Sequence, residues 1–159
     1  MKRILIIGKT GSGKTTFADK LGKILGYEVT HLDDLFWNPD WERAYTAEEW
    51  LKKNEDMTQA YNWILDGNYH NTLEFRLSKA DTVFFFEVNP FVALFNIIKR
   101  KYTTNDPNHN KFGLRLAIRT IFNFPTKKVL EQIEKSRVEN VYIIKNKKDA
   151  HVILSEIIR

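Results

Sequence analysis

Cysteine is absent from this chain of 159 residues, which excludes disulfides and thiolate metal sites. No stretch rich in proline, glycine or serine marks a linker, and neither an internal repeat nor a low-complexity tract divides the chain. A long apolar run is also missing. The most apolar region, Thr82 to Ile98, is broken by Glu87, Asn89 and Pro90, so it reads as a buried strand followed by a helix rather than a membrane span. No signal pattern precedes the first apolar segment, and a cytoplasmic protein with no membrane role is expected. With 43% hydrophobic residues, the length suits one domain over residues 1–159 with a core of its own.

Glycine is scarce as well, seven in all, yet three of the seven fall within Gly8-Lys9-Thr10-Gly11-Ser12-Gly13-Lys14-Thr15. This stretch satisfies the P-loop formula G-x-x-x-x-G-K-[ST]. It follows the apolar run Ile4-Leu5-Ile6-Ile7 and leads into a helical pattern from Lys14 to about Leu25. Glycines let successive backbone N–H groups turn inward, and the positive end of the following helix completes a cradle for phosphate oxygens. Gly8, Gly11, Ser12, Gly13, Lys14, Thr15 and Thr16 are therefore the candidate nucleoside triphosphate site. Lys14 is expected to reach the β and γ phosphates, and Thr15 to hold Mg²⁺.

Further along, apolar runs alternate with helical patterns, which predicts an α/β fold with right-handed crossovers and a parallel sheet. A second strand over about Glu28 to Leu32 delivers Asp33 and Asp34 to the carboxyl edge of that sheet, where ligands bind in open α/β folds. Adjacent residues rarely share one cleft, so Asp33 is the candidate acceptor-orienting carboxylate and Asp34 its structural rival. Trp37 and Trp41 flank an Asn-Pro-Asp turn and suit either a pocket wall or loop packing. Thr46-Ala47-Glu48-Glu49 is a capping box, opening a helix to about Tyr61. The third strand ends in Asp66-Gly67-Asn68-Tyr69, placing Asp66 as a Walker B carboxylate for Mg²⁺. A short helix over about Asn71 to Ser78 carries Arg76. After a strand over Thr82 to Val88, Asn89 and Pro90 open a helix predicted to bury Phe91, Leu94, Phe95, Ile98 and Tyr102. A polar loop, Thr103 to Lys111, then a helix bearing Arg115 and Arg119 on one face, a helix over Thr126 to Val138, a strand over Val141 to Lys145 and a closing helix complete the chain.

The net charge of +5 is unevenly spread: Lys99 to Arg137 holds ten Lys or Arg against three acids, +7, leaving −2 for the rest. Such a face suits nucleic acid, arginines closing on a polyphosphate, or a solvated helical surface.

Taken together, the chain resembles the adenylate-kinase-like group of P-loop kinases, and more closely the bacterial DNA topology modulation protein family. The resemblance rests on Gly8 to Thr15, His31-Leu32-Asp33 with Leu35 to Trp41, Ile64 to Tyr69, Arg76-Leu77, Ala80 to Val83, Arg119 and Phe122-Asn123. It implies a three-layer P-loop NTPase fold with a five-stranded parallel sheet in the order 2-3-1-4-5, and a lid-like segment at about 99–115. Lys111 is the sole base from Tyr102 to Phe112, where kinases of this group place arginines, so phosphate closure would rest on Arg100, Arg115 and Arg119.

The function expected is transfer of the γ-phosphate of ATP, with Mg²⁺, to a small-molecule or nucleotide acceptor. Lys14, Arg115 and Arg119 would cancel charge, Thr15 and Asp66 would hold the metal, and Asp33, Trp37, Tyr69 and Arg76 would bind the acceptor. Two other classes are weighed. Asn146-Lys147-Lys148-Asp149 matches the guanine-specificity tetrapeptide of GTPases, but only ten residues follow it. A nucleotide-dependent DNA-binding regulator would use the basic segment, although no recognised DNA-reading motif is present.

Overall fold

The computed structural model describes residues 1–38, 40, 42–103 and 114–158. Pro39, Trp41, Lys111 and most of the expected lid segment lie outside the described residues.

Strand β1 (Arg3–Gly8) sits at the centre of the sheet because its residues are apolar in both pleat directions. Ile4 and Ile6 pack on α1 (Lys14–Leu25) and the last helix, α8 (Lys147–Ile157). Leu5 and Ile7 face the opposite layer, built from α3 (Ala47–Thr58), α4 (His70–Lys79) and α7 (Thr126–Ser136). Around β1 the sheet runs β2 (Val29–His31), β3 (Trp63–Asp66), β1, β4 (Thr82–Phe86), β5 (Asn140–Ile144). Every pairing is parallel, with Ile6 opposite Asp66 and Phe84, so β1 and its two neighbours end together on one edge. This is the five-stranded P-loop architecture in the order 2-3-1-4-5. β5 closes one side with Val141 and Ile143 half exposed, while Tyr142 and Ile144 on its other face pack in the cluster that includes α8.

Local signals act as expected at several boundaries. Gly26 ends α1 in the left-handed conformation, donating its N–H to the Gly22 carbonyl. Thr46 and Glu49 form both halves of the capping box of α3. The Asn89 side chain caps α5 (Pro90–Thr103) by accepting the N–H of Phe91 at 2.9 Å.

Two expectations are corrected. β2 stops at His31, and the chain turns at once into a five-residue helix, α2 (Leu32–Phe36), so Asp33 and Asp34 ride on its first turn rather than on a strand end. The apolar stripe of α5 faces outward: Phe91, Phe95 and Tyr102 are 70%, 63% and 84% exposed. The reason is steric. The helix meets the P-loop through the Ala93 carbonyl, Asn96 and Ile97, and the missing Cβ of Gly11 allows so close an approach. The larger apolar groups then point away. α6 (Leu114–Phe122) packs beside α5, with Phe122 edge-on to Phe91 at 5.5 Å, and buries Ala117 and Ile121 while Leu114 and Ile118 stay outside. No helix among the described residues is long and apolar enough to cross a membrane.

Candidate active site

The P-loop runs from the end of β1 into α1 with no side chain capping that helix and no acid in its first turn, which leaves its positive end for an anion. Gly13 is left-handed (φ 96°), and a Cβ built there meets nothing within 4 Å, so it borders open space at the loop mouth. Gly11 (φ 78°) lies against α5; a Cβ would fall 2.4 Å from the Ala93 carbonyl oxygen. The Asn96 amide donates to the Gly11 carbonyl at 2.9 Å, fixing the loop tip to α5. Ser12 Oγ is buried without a hydrogen-bond partner. An orphaned hydroxyl within a loop of inward amides fits a phosphate oxygen.

Lys14 donates from Nζ to the Lys9 carbonyl at 3.0 Å. Its pKa lies below the usual lysine value because the loop desolvates it; the Asp66 and Asp33 charges oppose that shift, and Arg100 adds to it. Two carboxylates from different elements therefore act on one ammonium. Asp34, exposed on the same turn as Asp33, is not among the charges acting there. Thr15 and Thr16 are exposed in the first turn of α1.

Thr15 Oγ1 donates to Asp66 Oδ2 at 2.9 Å, and Asp66 Oδ1 is buried without a partner. A hydroxyl and a carboxylate with a spare oxygen are hard ligands suited to Mg²⁺, which takes one or two protein ligands at nucleotide sites and fills the rest with phosphate and water. His31, which the sequence reading left without a role, bridges this carboxylate to a second one: Nδ1 lies 3.0 Å from Asp66 Oδ2 and Nε2 3.1 Å from Asp19 Oδ1. The hydrogen bond with Asp66 is the main cause that raises its pKa to about 9. A histidine opposite an acidic strand end was the one signal that could have suggested the pair.

The acceptor candidates split. Asp33, Trp37 and Tyr69 come together: the Tyr69 hydroxyl donates to Asp33 Oδ1 at 2.6 Å, and Trp37 hydrogen bonds to Tyr69. Burial first, then the Asp33 charge, pushes the Tyr69 pKa above its usual value. The tyrosine ring rests on Phe36 and Trp50, with centroids 4.7 and 5.0 Å away. Arg76 does not join them. It is fully buried, with Nη1 donating to the Gly67 carbonyl at 3.0 Å and Nη2 to the Asn68 and Tyr69 carbonyls. Its two terminal nitrogens thus serve three main-chain oxygens as a template for the loop after β3, while Nε is buried without a partner. Burial lowers its pKa, countered by Tyr69.

Asn68 is a second residue the sequence reading passed over. Its side-chain oxygen accepts the Gly8 N–H at 3.0 Å, and its amide donates to the Gly8 carbonyl at 2.9 Å. Arg115 and Arg119 are exposed on α6, which rests on α5. Arg100 follows Ala93, Asn96 and Ile97 around the loop-facing side of α5 and is the arginine whose charge acts on Lys14. The guanine-type tetrapeptide is a helix cap: Asn146 Oδ1 accepts the N–H groups of Lys148 and Asp149, and Asp149 accepts that of Lys145 at 2.9 Å. Its side chains are engaged in opening α8.

Residues 4–107 match the family model described as an AAA domain. No curated protein sequence matches the chain. Among solved structures, the chain is similar to a shikimate kinase from Acinetobacter baumannii in complex with shikimate (TM-score 0.63, 16% identity, 99% of this chain and 90% of that one). It is also similar to a gluconokinase from Sinorhizobium meliloti 1021 (0.60, 16%, 99% and 89%) and to a deoxyadenosine kinase from M. mycoides with bound dATP (0.56, 17%, 99% and 99%). At these identities the likeness is one of fold, and the fold is that of P-loop kinases.

Proposed function

The chain belongs to the AAA domain family, and from that premise we propose that it is an ATP-dependent phosphotransferase, moving the γ-phosphate of MgATP to the hydroxyl or phosphate of a small-molecule or nucleotide acceptor. One observation carries this reading: the Lys14 ammonium lies in the field of both Asp66, beside Thr15, and Asp33, beside Tyr69. In this reading a triphosphate cradle and an acceptor-side carboxylate would act on one side chain.

Thr15 and Asp66 would hold Mg²⁺, which when bound neutralises charge on the phosphate oxygens. Lys14 would turn from the Lys9 carbonyl to the phosphates, with Arg100, whose charge acts on Lys14, and Arg115 or Arg119 on α6 as the arginines that would assist. Tyr69 occupies Asp33 Oδ1, leaving Oδ2 to accept the proton of an acceptor hydroxyl. The acceptor oxygen then bonds to the γ-phosphorus as the bond to the bridging oxygen breaks, and ADP leaves. Trp37, Phe36 and Trp50 wall the acceptor side. The neighbours' printed substrates, shikimate and deoxyadenosine, are hydroxylated small molecules, and we take the acceptor to be of that kind.

Asp33→Asn should abolish acceptor-dependent ATP consumption while leaving nucleotide affinity intact; unchanged turnover removes the assignment. A product screen over nucleoside monophosphates, nucleosides and hydroxylated metabolites identifies the guest. A second reading, a nucleotide-dependent DNA-binding regulator, draws on the topology-modulation resemblance and on exposed Lys99, Lys101, Arg115 and Arg119. Retention on duplex DNA with a steep salt dependence would favour it, and no retention at moderate salt rejects it.

A further inference from the structure

Thr15 and Asp19 stand four residues apart on α1, which puts both on one face of that helix. β2 and β3 end in parallel register, with His31 opposite Asp66. Three hydrogen bonds join these four side chains. Thr15 Oγ1 meets Asp66 Oδ2 at 2.9 Å, His31 Nδ1 meets the same oxygen at 3.0 Å, and His31 Nε2 meets Asp19 Oδ1 at 3.1 Å. One turn of α1, from Thr15 to Asp19, closes the ring.

Both donors fall on a single oxygen of Asp66. A carboxylate oxygen has two lone-pair sites, so Oδ2 is filled, while Oδ1 is buried with no partner. A charged oxygen left bare in a buried place is costly unless a ligand takes it. With Thr15 as its one donor, the carboxylate could turn about its last torsion, which is broad, and exchange its two oxygens. The second donor, held on β2, opposes that rotation.

The imidazole is itself held at both ends. Carboxylates only accept, so each ring nitrogen meets its carboxylate with a proton, and a tilt of the ring strains both bonds at once. Asp19 also supplies a countercharge at the ring nitrogen that Asp66 does not use. His31 thus brings a hydrogen bond to Asp66 without leaving its own charge uncompensated. Outer partners that orient a liganding side chain commonly govern metal affinity.

We infer that His31 is a positioning residue for the metal: the chain from Asp19 through His31 to Asp66 keeps Asp66 Oδ1 free for Mg²⁺ beside Thr15. The chain stands on the distances; its role rests on the placement of Mg²⁺ in the kinase reading above. The sign of the effect separates positioning from charge. A positive ring near a dication repels it, so removing the imidazole tightens metal binding if charge is its main effect and weakens binding if positioning is.

The test follows Mn²⁺, a spectroscopic stand-in for Mg²⁺, by electron paramagnetic resonance in the full chain with its ADP fully bound. Metal-free ADP affinity and melting temperature are measured beside it. His31→Ala should weaken Mn²⁺ binding by roughly tenfold to a hundredfold, with metal-free ADP affinity unchanged. His31→Asn, whose amide nitrogen replaces Nδ1, should recover most of that loss. Asp19→Ala, at the half-exposed end of the chain, should weaken binding in the same direction by less, and it serves should His31→Ala not fold. Mn²⁺ affinity that is unchanged or tighter in His31→Ala, or unchanged in Asp19→Ala, overturns the inference. So does a loss that His31→Asn shares in full while the melting temperatures fall in step. Binding abolished by Asp66→Asn but untouched by His31→Ala removes His31 alone and leaves the metal placement standing. Binding indifferent to both removes the metal placement as well. The expected losses in a chain that phosphorylates no acceptor uphold His31 and overturn the kinase reading.

Discussion

Replacing Arg76 with methionine separates a structural guanidinium from an acceptor-binding one. The substitution keeps most of the buried stem and removes the hydrogen bonds to the Gly67, Asn68 and Tyr69 carbonyls. Each buried acceptor left without a donor costs about 1–3 kcal/mol, and relief from burying the charge returns part of the total. The net loss should be about 3–4 kcal/mol, a large share of the 5–15 kcal/mol typical of a domain. At this chain length that lowers the melting temperature by roughly 10 °C. Urea unfolding followed by tryptophan fluorescence reads it directly, since Trp50 and Trp63 are buried. Arg76→Lys, able to reach fewer carbonyls, should fall between the two. A loss under about 1 kcal/mol, paired with a raised acceptor KM, would refute the reasoning and return Arg76 to the acceptor site.

Asn68→Ala strips both partners from the Gly8 backbone and should cost about 2 kcal/mol, with MgADP affinity falling alongside; calorimetric titration showing native affinity would count against a clamp. Gly11→Ala forces a left-handed alanine against the Ala93 carbonyl and should destabilise by about 3 kcal/mol, and thermal melts unchanged from the parent would contradict the close contact. His31 has a folded pKa of about 9 against about 6.5 when unfolded, so its contribution is full below pH 6.5 and lost as pH rises through 9. It amounts to at most about 3 kcal/mol, less for screening at the half-exposed Asp19. In metal-chelating buffer, His31→Gln should flatten the stability profile between those values, and an unaltered slope would dismiss the bridge.

The sheet was legible because β1, β3 and β4 are apolar on both faces, a pattern only a doubly covered parallel sheet explains, and because the P-loop announces its own flanks. The position of Asp66 beside Thr15 was legible from its place at a strand end. The orientation of α5 was not: its periodicity marks an apolar stripe but does not say which side meets a neighbour, and the contact with Gly11 is made by the Ala93 carbonyl, which has no side-chain signature. Arg76 misled for a related reason. An arginine on a helix beside a loop reads the same whether it reaches outward or inward, and the three carbonyls that claim it carry no side-chain signature. Asn68 was hidden because its partner is main chain.

That asparagine has a mechanical consequence. By exchanging two hydrogen bonds with one peptide, Asn68 adds a rung to the sheet with a side chain, leaving its own backbone free to swing into α4. The root of the P-loop and the start of the loop after β3 are thereby welded, and the Gly8 amide should be among the slowest to exchange its proton. On the loop's other flank Asn96 ties the tip to α5 by a hydrogen bond, so a displacement of that helix would be passed to the tip of the loop rather than to its root.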